Sequence, residues 1–274
     1  MAMSHRKIAI LGTGNIGGAL ARGFVGASLI KPTDVYLTRR SMPGLEEFRT
    51  SGYNVGTDNI QATRQADVIV LAVTPQHLNA LLQEIRAAVE PGRHTIVSVV
   101  SGASIADIHA ELRSDAPVIR VMPNTAIAIR ESMTCIAPGH APRAAVDEVQ
   151  AMFDGLGRTL LIDEEQMIPA TALCACGIAF FLRAIRAASQ GGIEIGFHAA
   201  EALLMAAQTA RGAASLLVQS RSHPESEVDK VTTPQGCTIS GLNQMEHNGF
   251  SSALIKGIVT SAEKAAILYS PRHQ

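Results

Sequence analysis

The sequence predicts an α/β protein: a doubly wound parallel sheet in residues 1–163, followed by an all-α domain in 164–274. Three observations predict it. Short apolar runs alternate with helical stretches as far as Ile162, the pattern of a sheet covered on both faces. A glycine-rich turn joins the first apolar run to the first helical stretch. No strand pattern occurs after Asp163.

Lys7–Leu11 carries Ile8, Ala9, Ile10 and Leu11 and ends in glycine, as a buried parallel strand does. Asn15–Gly26 reads as a helix with Ile16, Leu20 and Phe24 on one side. Asp34–Thr38 is a second strand and Gly44–Gly52 a helix. Asp67–Val73 is an apolar strand closed by Pro75, and Leu78–Val89 an amphipathic helix stopped by Pro91-Gly92. Thr95–Val100 and Val118–Val121 are strands around a helix at Ile105–Leu112. Cys135–Ala137 and Thr159–Ile162 are strands flanking a helix at Ala144–Phe153. Helices are then expected over Gln166–Gln190, Ala199–Ser220, Gly236–Asn248 and Ser251–Tyr269. Ala199–Ala214 is apolar on nearly every face except at Glu201, Gln208 and Arg211, so it must be buried on all sides. Roughly a hundred residues of helix make a thin core alone. A partner subunit is the expected cover, in a homodimer or larger homo-oligomer.

Composition narrows the function class. Lys plus Arg number 23 and Asp plus Glu 24, a net charge of −1 that argues against nucleic acid as a partner. Charged residues are 17% and hydrophobic ones 47%, which excludes disorder. No apolar stretch is expected to approach the ~20 residues of a membrane span, so no membrane partner is expected. Met1–Lys7 shows no secretory pattern, and a cytoplasmic location is expected. Cys135, Cys174, Cys176 and Cys237 read as reduced thiols, because Cys174 and Cys176 are too close together for a CxxC motif or a zinc half-site. The nine histidines show no HxH or HExxH spacing, so no metal is expected.

Gly12-Thr13-Gly14-Asn15-Ile16-Gly17 is GxGxxG directly after a strand and opening a helix. Gly12 makes the tight turn, Gly14 admits a pyrophosphate to the backbone, and Gly17 lets helix and strand pack. This Rossmann-like element implies a dinucleotide. An NAD site carries a carboxylate at the end of the second strand, but here the strand ends Thr38-Arg39-Arg40-Ser41. Guanidinium groups pair bidentately with phosphate. NADP(H) is therefore favoured, with NAD(H) possible and a merely solvated turn as the competing reading. Ala72-Val73-Thr74-Pro75 and Arg120–Thr125 end later strands on the edge where ligands lie in such sheets. Lys230–Thr238 precedes a helix, where exposed N–H groups can hold a carboxylate or Thr233 or Thr238 can simply cap.

These motifs together resemble the pyrroline-5-carboxylate reductase family from end to end. GTGNIGGAL matches its dinucleotide loop, LAVTPQ is similar to its A-V-K-P segment, and RVMPNT to its R-x-M-P-N. VTTPQGCTISGLNQME, followed by GF, resembles its V-T-S-P-G-G-T-T run, and AAQTARGAA its A-x-Q-T-x-x-G-A. The resemblance implies NADPH-dependent reduction of a cyclic imine and an all-α dimerisation domain that interlocks with a second subunit. It also implies that Asn59 touches the adenosine ribose and that Ala72, Val73 and Thr74 line the nicotinamide. Val231, Thr232, Thr233, Gly236, Cys237 and Thr238 would hold the substrate, with the Thr238 hydroxyl bonded to the ring nitrogen.

The chain departs from the family where substrate chemistry would lie. Thr74 stands for lysine, Cys174-Ala175-Cys176-Gly177-Ile178-Ala179-Phe180 for S-G-S-G-P-A-Y, Ile168 for aspartate, Lys230 for asparagine and Gln235 for glycine. Such departures suit a paralogue acting on another cyclic imine. A β-hydroxyacid dehydrogenase is a rival, although Ala172–Gln190 lacks the lysine that class uses. A non-catalytic NADP-binding protein is another.

Overall fold

β1 (Ile8–Leu11) is buried at every residue, and its side chains divide between two cores. Ile8 and Ile10 join Leu20, Phe24, Val68, Val70 and Phe153 in one, while Ala9 and Leu11 join Ile69, Leu71, Leu82, Ile96 and Ile108 in the other. A strand sends alternate residues to opposite faces, so only an unbroken apolar run suits one covered on both. The computed structural model describes residues 6–269, and the expectation drawn from Met1–Lys7 falls mostly outside them.

α1 (Asn15–Gly26), β2 (Val35–Thr38), α2 (Glu46–Thr50), β3 (Asn54–Gly56), α3 (Asn59–Gln65), β4 (Val68–Leu71) and α4 (Pro75–Ile85) follow in order. β5 (Thr95–Ser98), α5 (Ile105–Leu112), β6 (Val118–Met122), β7 (Ser132–Ala137), α6 (Arg143–Asp154) and β8 (Gly157–Leu161) complete the sheet region. The strand order is β3-β2-β1-β4-β5-β6-β7-β8, with β1 to β6 all parallel. The order reverses between β1 and β4, the switch point at which doubly wound sheets bind ligands. The α/β, Rossmann-like expectation is met. One correction concerns the far edge, where β7 runs antiparallel to β6 and β8 then runs parallel to β7. The stretch between Met122 and Ser132 is too short for the crossover of a dozen or more residues that a parallel return needs.

The helical part begins with α7 (Met167–Ala170), a π-helical segment at Thr171–Cys176 and α8 (Gly177–Glu194). α9 (Ala199–Ser220), α10 (Pro224–Val231), α11 (Cys237–His247) and α12 (Phe250–Ala266) follow. The chain forms two compact units: residues up to Cys176 together with those from Ser261 on, and Gly177–Thr260. A second correction concerns length. Glu164–Glu194 is one helical stretch of 31 residues with a mean hydropathy of 1.9 at its most apolar, long and apolar enough to cross a membrane. Its Ala and Cys residues add hydropathy without forming a conspicuous aliphatic run, so the expectation that no such stretch exists fails.

Candidate active site

The turn from β1 to α1 is built for close approach. Gly12 has φ +104°, and a Cβ there would lie 2.6 Å from the Ala72 carbonyl oxygen. A Cβ on Gly17 would overlap the Gly12 carbonyl. Gly14 is the opposite case, with nothing within 4 Å of where its Cβ would be. It is also the N-cap of α1 and supplies no side-chain partner, so the first N–H groups of that helix, at Asn15, Ile16 and Gly17, lack a side-chain cap. A space of this kind at a helix N-terminus suits a pyrophosphate. The residues present fit a dinucleotide.

Neighbouring strands bring the other expected cofactor residues to the same edge. The Thr38 carbonyl accepts from Gly12 N at 3.2 Å, Thr13 N at 2.9 Å and Thr13 Oγ1 at 3.0 Å, which ties the end of β2 to the glycine turn. Thr38 Oγ1 donates to Asn59 Oδ1 at 2.6 Å, and Asn59 Nδ2 donates to Glu84 Oε2 at 3.0 Å. Glu84, unmentioned by any motif, therefore orients the amide. A cavity of about 230 Å³ beside Thr38 is lined also by Gly56, Asp58, Gln61 and Ala62. Arg39 and Arg40 are exposed just beyond it, and the Arg39 guanidinium lies against Gly44 with no room for a Cβ between them. After β4, Ala72 N donates to Leu11 O at 2.9 Å, Thr74 caps α4 by position and Pro75 is its first residue.

A cavity of about 610 Å³ lies farther along the edge, lined by Gly102, Ser104, Arg120, Asp163, Glu164 and Ile168. Arg120 is buried there and pairs with Glu164 at 3.1 Å, and the same carboxylate oxygen accepts from Ile105 N at 2.6 Å. Motif spacing does not reveal this clamp, since Glu164 has no signature of its own.

The turn Val231–Thr238 belongs to the second unit. Gly236 N donates to Thr233 O at 2.9 Å, and Gly236 is the N-cap of α11 with no side-chain cap bond. The capping alternative for Thr233 and Thr238 is therefore not realised. The N–H groups of Cys237 and Thr238 open an uncapped helix instead. Thr238 is half-buried, whereas Val231, Thr233 and Cys237 are exposed.

Residues 7–102 match a family model for NADP oxidoreductases, coenzyme F420-dependent, and residues 164–268 match one for pyrroline-5-carboxylate reductase dimerisation. Pyrroline-5-carboxylate reductase 1 of Dictyostelium discoideum is 50% identical over 100% of this chain, which spans about half (52%) of that protein. Pyrroline-5-carboxylate reductase 2 of the same organism is 45% identical over 96% of this chain and 93% of its own length. This chain belongs to the pyrroline-5-carboxylate reductase family. Among solved structures, Plasmodium falciparum pyrroline carboxylate reductase with NADP bound superposes with a TM-score of 0.90 at 24% identity, covering 98% and 100% of the two chains. The Streptococcus pyogenes pyrroline-5-carboxylate reductase gives 0.86 at 25% identity, covering 95% of this chain and 98% of that one.

The departures of this reductase-family chain have definite places. Thr74 is exposed at the head of α4, and Ile168 lines the Arg120 cavity. Gln235 holds φ +60°, a left-handed conformation that glycine adopts without strain. Lys230 Nζ donates to Glu227 Oε1 at 2.7 Å. The Cys174 carbonyl accepts from Asn124 Nδ2 at 3.3 Å, which joins the RVMPNT segment to the π-helical one.

Proposed function

We propose that the chain catalyses NADPH-dependent reduction of the C=N bond of a cyclic imino acid, converting pyrroline-5-carboxylate to proline. The observation that carries this reading is the uncapped, glycine-lined N-terminus of α1 at the sheet's switch point, in a chain of this family. NADPH, when bound, supplies the hydride. Gly12, Gly14, Asn15, Ile16 and Gly17 hold the pyrophosphate; Thr38, Arg39 and Arg40 the 2′-phosphate; Asn59 the adenosine ribose. Ala72, Val73, Thr74 and Pro75 line the nicotinamide side. The N–H groups of the Thr233–Thr238 turn bind the substrate carboxylate, with Val231, Thr232, Gly236 and Cys237 shaping it. The Thr238 hydroxyl hydrogen-bonds the ring nitrogen. A protonated imine is already a good electrophile, so positioning counts for more than strong acid–base groups.

The domain division is placed at 163/164, the assembly is a homodimer or larger, and the location is cytoplasmic. The test is steady-state NADPH oxidation with pyrroline-5-carboxylate and with a panel of cyclic imines of other ring sizes. Sustained turnover with pyrroline-5-carboxylate supports the reading. Preference for another ring makes the chain a divergent imine reductase, and tight NADPH binding without turnover on any imine makes it a non-catalytic binder. Thr238→Ala is expected to lose about 1–3 kcal/mol of transition-state stabilisation, roughly 5- to 150-fold in kcat/KM, with NADPH affinity unchanged.

A further inference from the structure

Two sulfurs meet where the sheet passes into the helical part. Cys135 is buried on β7, which is held between β6 and β8, with Met122 of β6 beside it in register. Cys174 is half-buried in the π-helical segment Thr171–Cys176, and the two Sγ atoms are 3.9 Å apart. The backbone around Cys174 is fixed on the other side by the Asn124 side chain on its carbonyl. Cys176, two residues on, has no sulfur partner among the described residues.

We propose that Cys135 and Cys174 are a peroxide-reactive dithiol, a modification site at which hydrogen peroxide closes an intrachain disulfide between β7 and the segment 171–176. The chemistry assigns each sulfur a part. The Cys135 thiol, raised by its hydrogen bond to Cys174 and by burial, keeps its proton and donates it; that bond lowers Cys174 and favours its thiolate. Only a thiolate attacks peroxide at a useful rate, and Cys174 is also the more exposed of the pair. Cys174 S⁻ displaces hydroxide from H₂O₂ and becomes the sulfenic acid, a two-electron oxidation of sulfur as the O–O bond breaks. The Cys135 sulfur then displaces the sulfenic oxygen, which leaves as water with the Cys135 proton. Two thiols and one peroxide yield one disulfide and two waters.

A disulfide needs about 2.05 Å between sulfurs, so closure requires an approach of roughly 2 Å from the present 3.9 Å. A strand bonded on both sides cannot supply that movement. The π-helical turn can, because its wider hydrogen-bonded ring is the less regular of the two elements. The bond would tie the sheet to the start of the region 164–268 that matches the family's dimerisation model.

The experiment treats the full chain with a small molar excess of hydrogen peroxide, blocks remaining thiols by alkylation and maps peptides by mass spectrometry. The expected result is a Cys135–Cys174 cross-linked peptide about 2 Da lighter than its reduced parts, loss of two of the four thiols, and full reversal by dithiothreitol. Cys174→Ser and, as a second variant at the buried position, Cys135→Ala should each abolish the link, while Cys176→Ser should leave it intact. A link through Cys176 or Cys237, a bond between chains, or Cys174 passing to sulfinic acid without cross-linking would overturn the proposal. The mass readout does not depend on turnover, so its failure is distinguishable from failure of the reductase reading.

Discussion

Arg39 and Arg40 stand exposed past the end of β2, where an NAD site would present a carboxylate. If they bind the 2′-phosphate, changing both to alanine raises KM for NADPH far more than for NADH; equal changes would show a merely solvated turn. Gly44 belongs to the same device, since the Arg39 guanidinium lies where its Cβ would be. His94 offers a test of another kind. It is buried, its Nδ1 accepts from Glu90 N at 2.9 Å, and its Nε2 has no hydrogen-bond partner among the described residues. Burial, with the neighbouring Arg93 charge, holds its pKa below 6.5, against the opposing pull of Glu90, the Ala66 backbone and Asp67. The folded state therefore keeps the ring neutral while the unfolded chain takes up a proton. This contribution to stability is complete above pH of about 6.5 and is lost as pH falls from there toward the lower folded pKa. Urea midpoints at pH 7.5 and 5.5 should differ less for His94→Gln than for the native chain. An unchanged difference would remove His94 from the account.

At the scale of elements, legibility followed the strength of local pattern. β1, β4 and α1 are visible because an apolar run buried on both faces and a glycine turn leave little choice. β3 and α3 are not, because Asn54–Gly56 is short and half-buried, and α3 announces itself only through Asp58, which caps it by accepting from Gln61 N at 2.9 Å. The reversal at β7 was readable from the shortness of Pro123–Glu131, a length argument that alternation alone conceals. The candidate site divides in the same way. Contiguous motifs reveal the glycine turn and the ends of β2 and β4. The partners Glu84 and Glu164 come from elsewhere in the chain and carry no motif. Tyr269 is a further long-range partner. Its hydroxyl donates to Asn79 Oδ1 at 2.7 Å in a buried contact, while Gly102, at φ +88°, admits its Cβ where any side chain would collide. Tyr269→Phe leaves the Asn79 oxygen unpaired and should cost about 1–3 kcal/mol in denaturant unfolding. A loss within a few tenths of a kcal/mol would mean that water satisfies the amide.

The whole molecule returns to its low charge and abundant alanine. A nearly all-apolar α9 ought to be buried on every face, yet in one chain only Ala202 of its 22 residues is fully buried, and Leu204 is 70% exposed. Phe181 on α8 and Ile255 on α12 are 60% and 62% exposed. An apolar cavity of about 470 Å³ between Phe180, Ala184, Phe250 and Leu254 adds to the same unit. Fully burying one such large side chain is worth about 1.5–3 kcal/mol, so several together exceed what a stable soluble chain leaves uncovered. The match of 164–268 to a dimerisation model supports the proposed cover, further copies of the chain. Light scattering should therefore give at least twice the mass of one chain at micromolar concentration. Leu204→Arg would place an unpaired charge in that contact, a substitution that breaks assembly by desolvation rather than by lost area. It should shift the mass toward one chain, or toward aggregates, and lower the melting temperature. Because the exposed helix faces have no other cover among the described residues, a monodisperse native monomer would require them to be stable in water, and the charge deficit would then need a different cause.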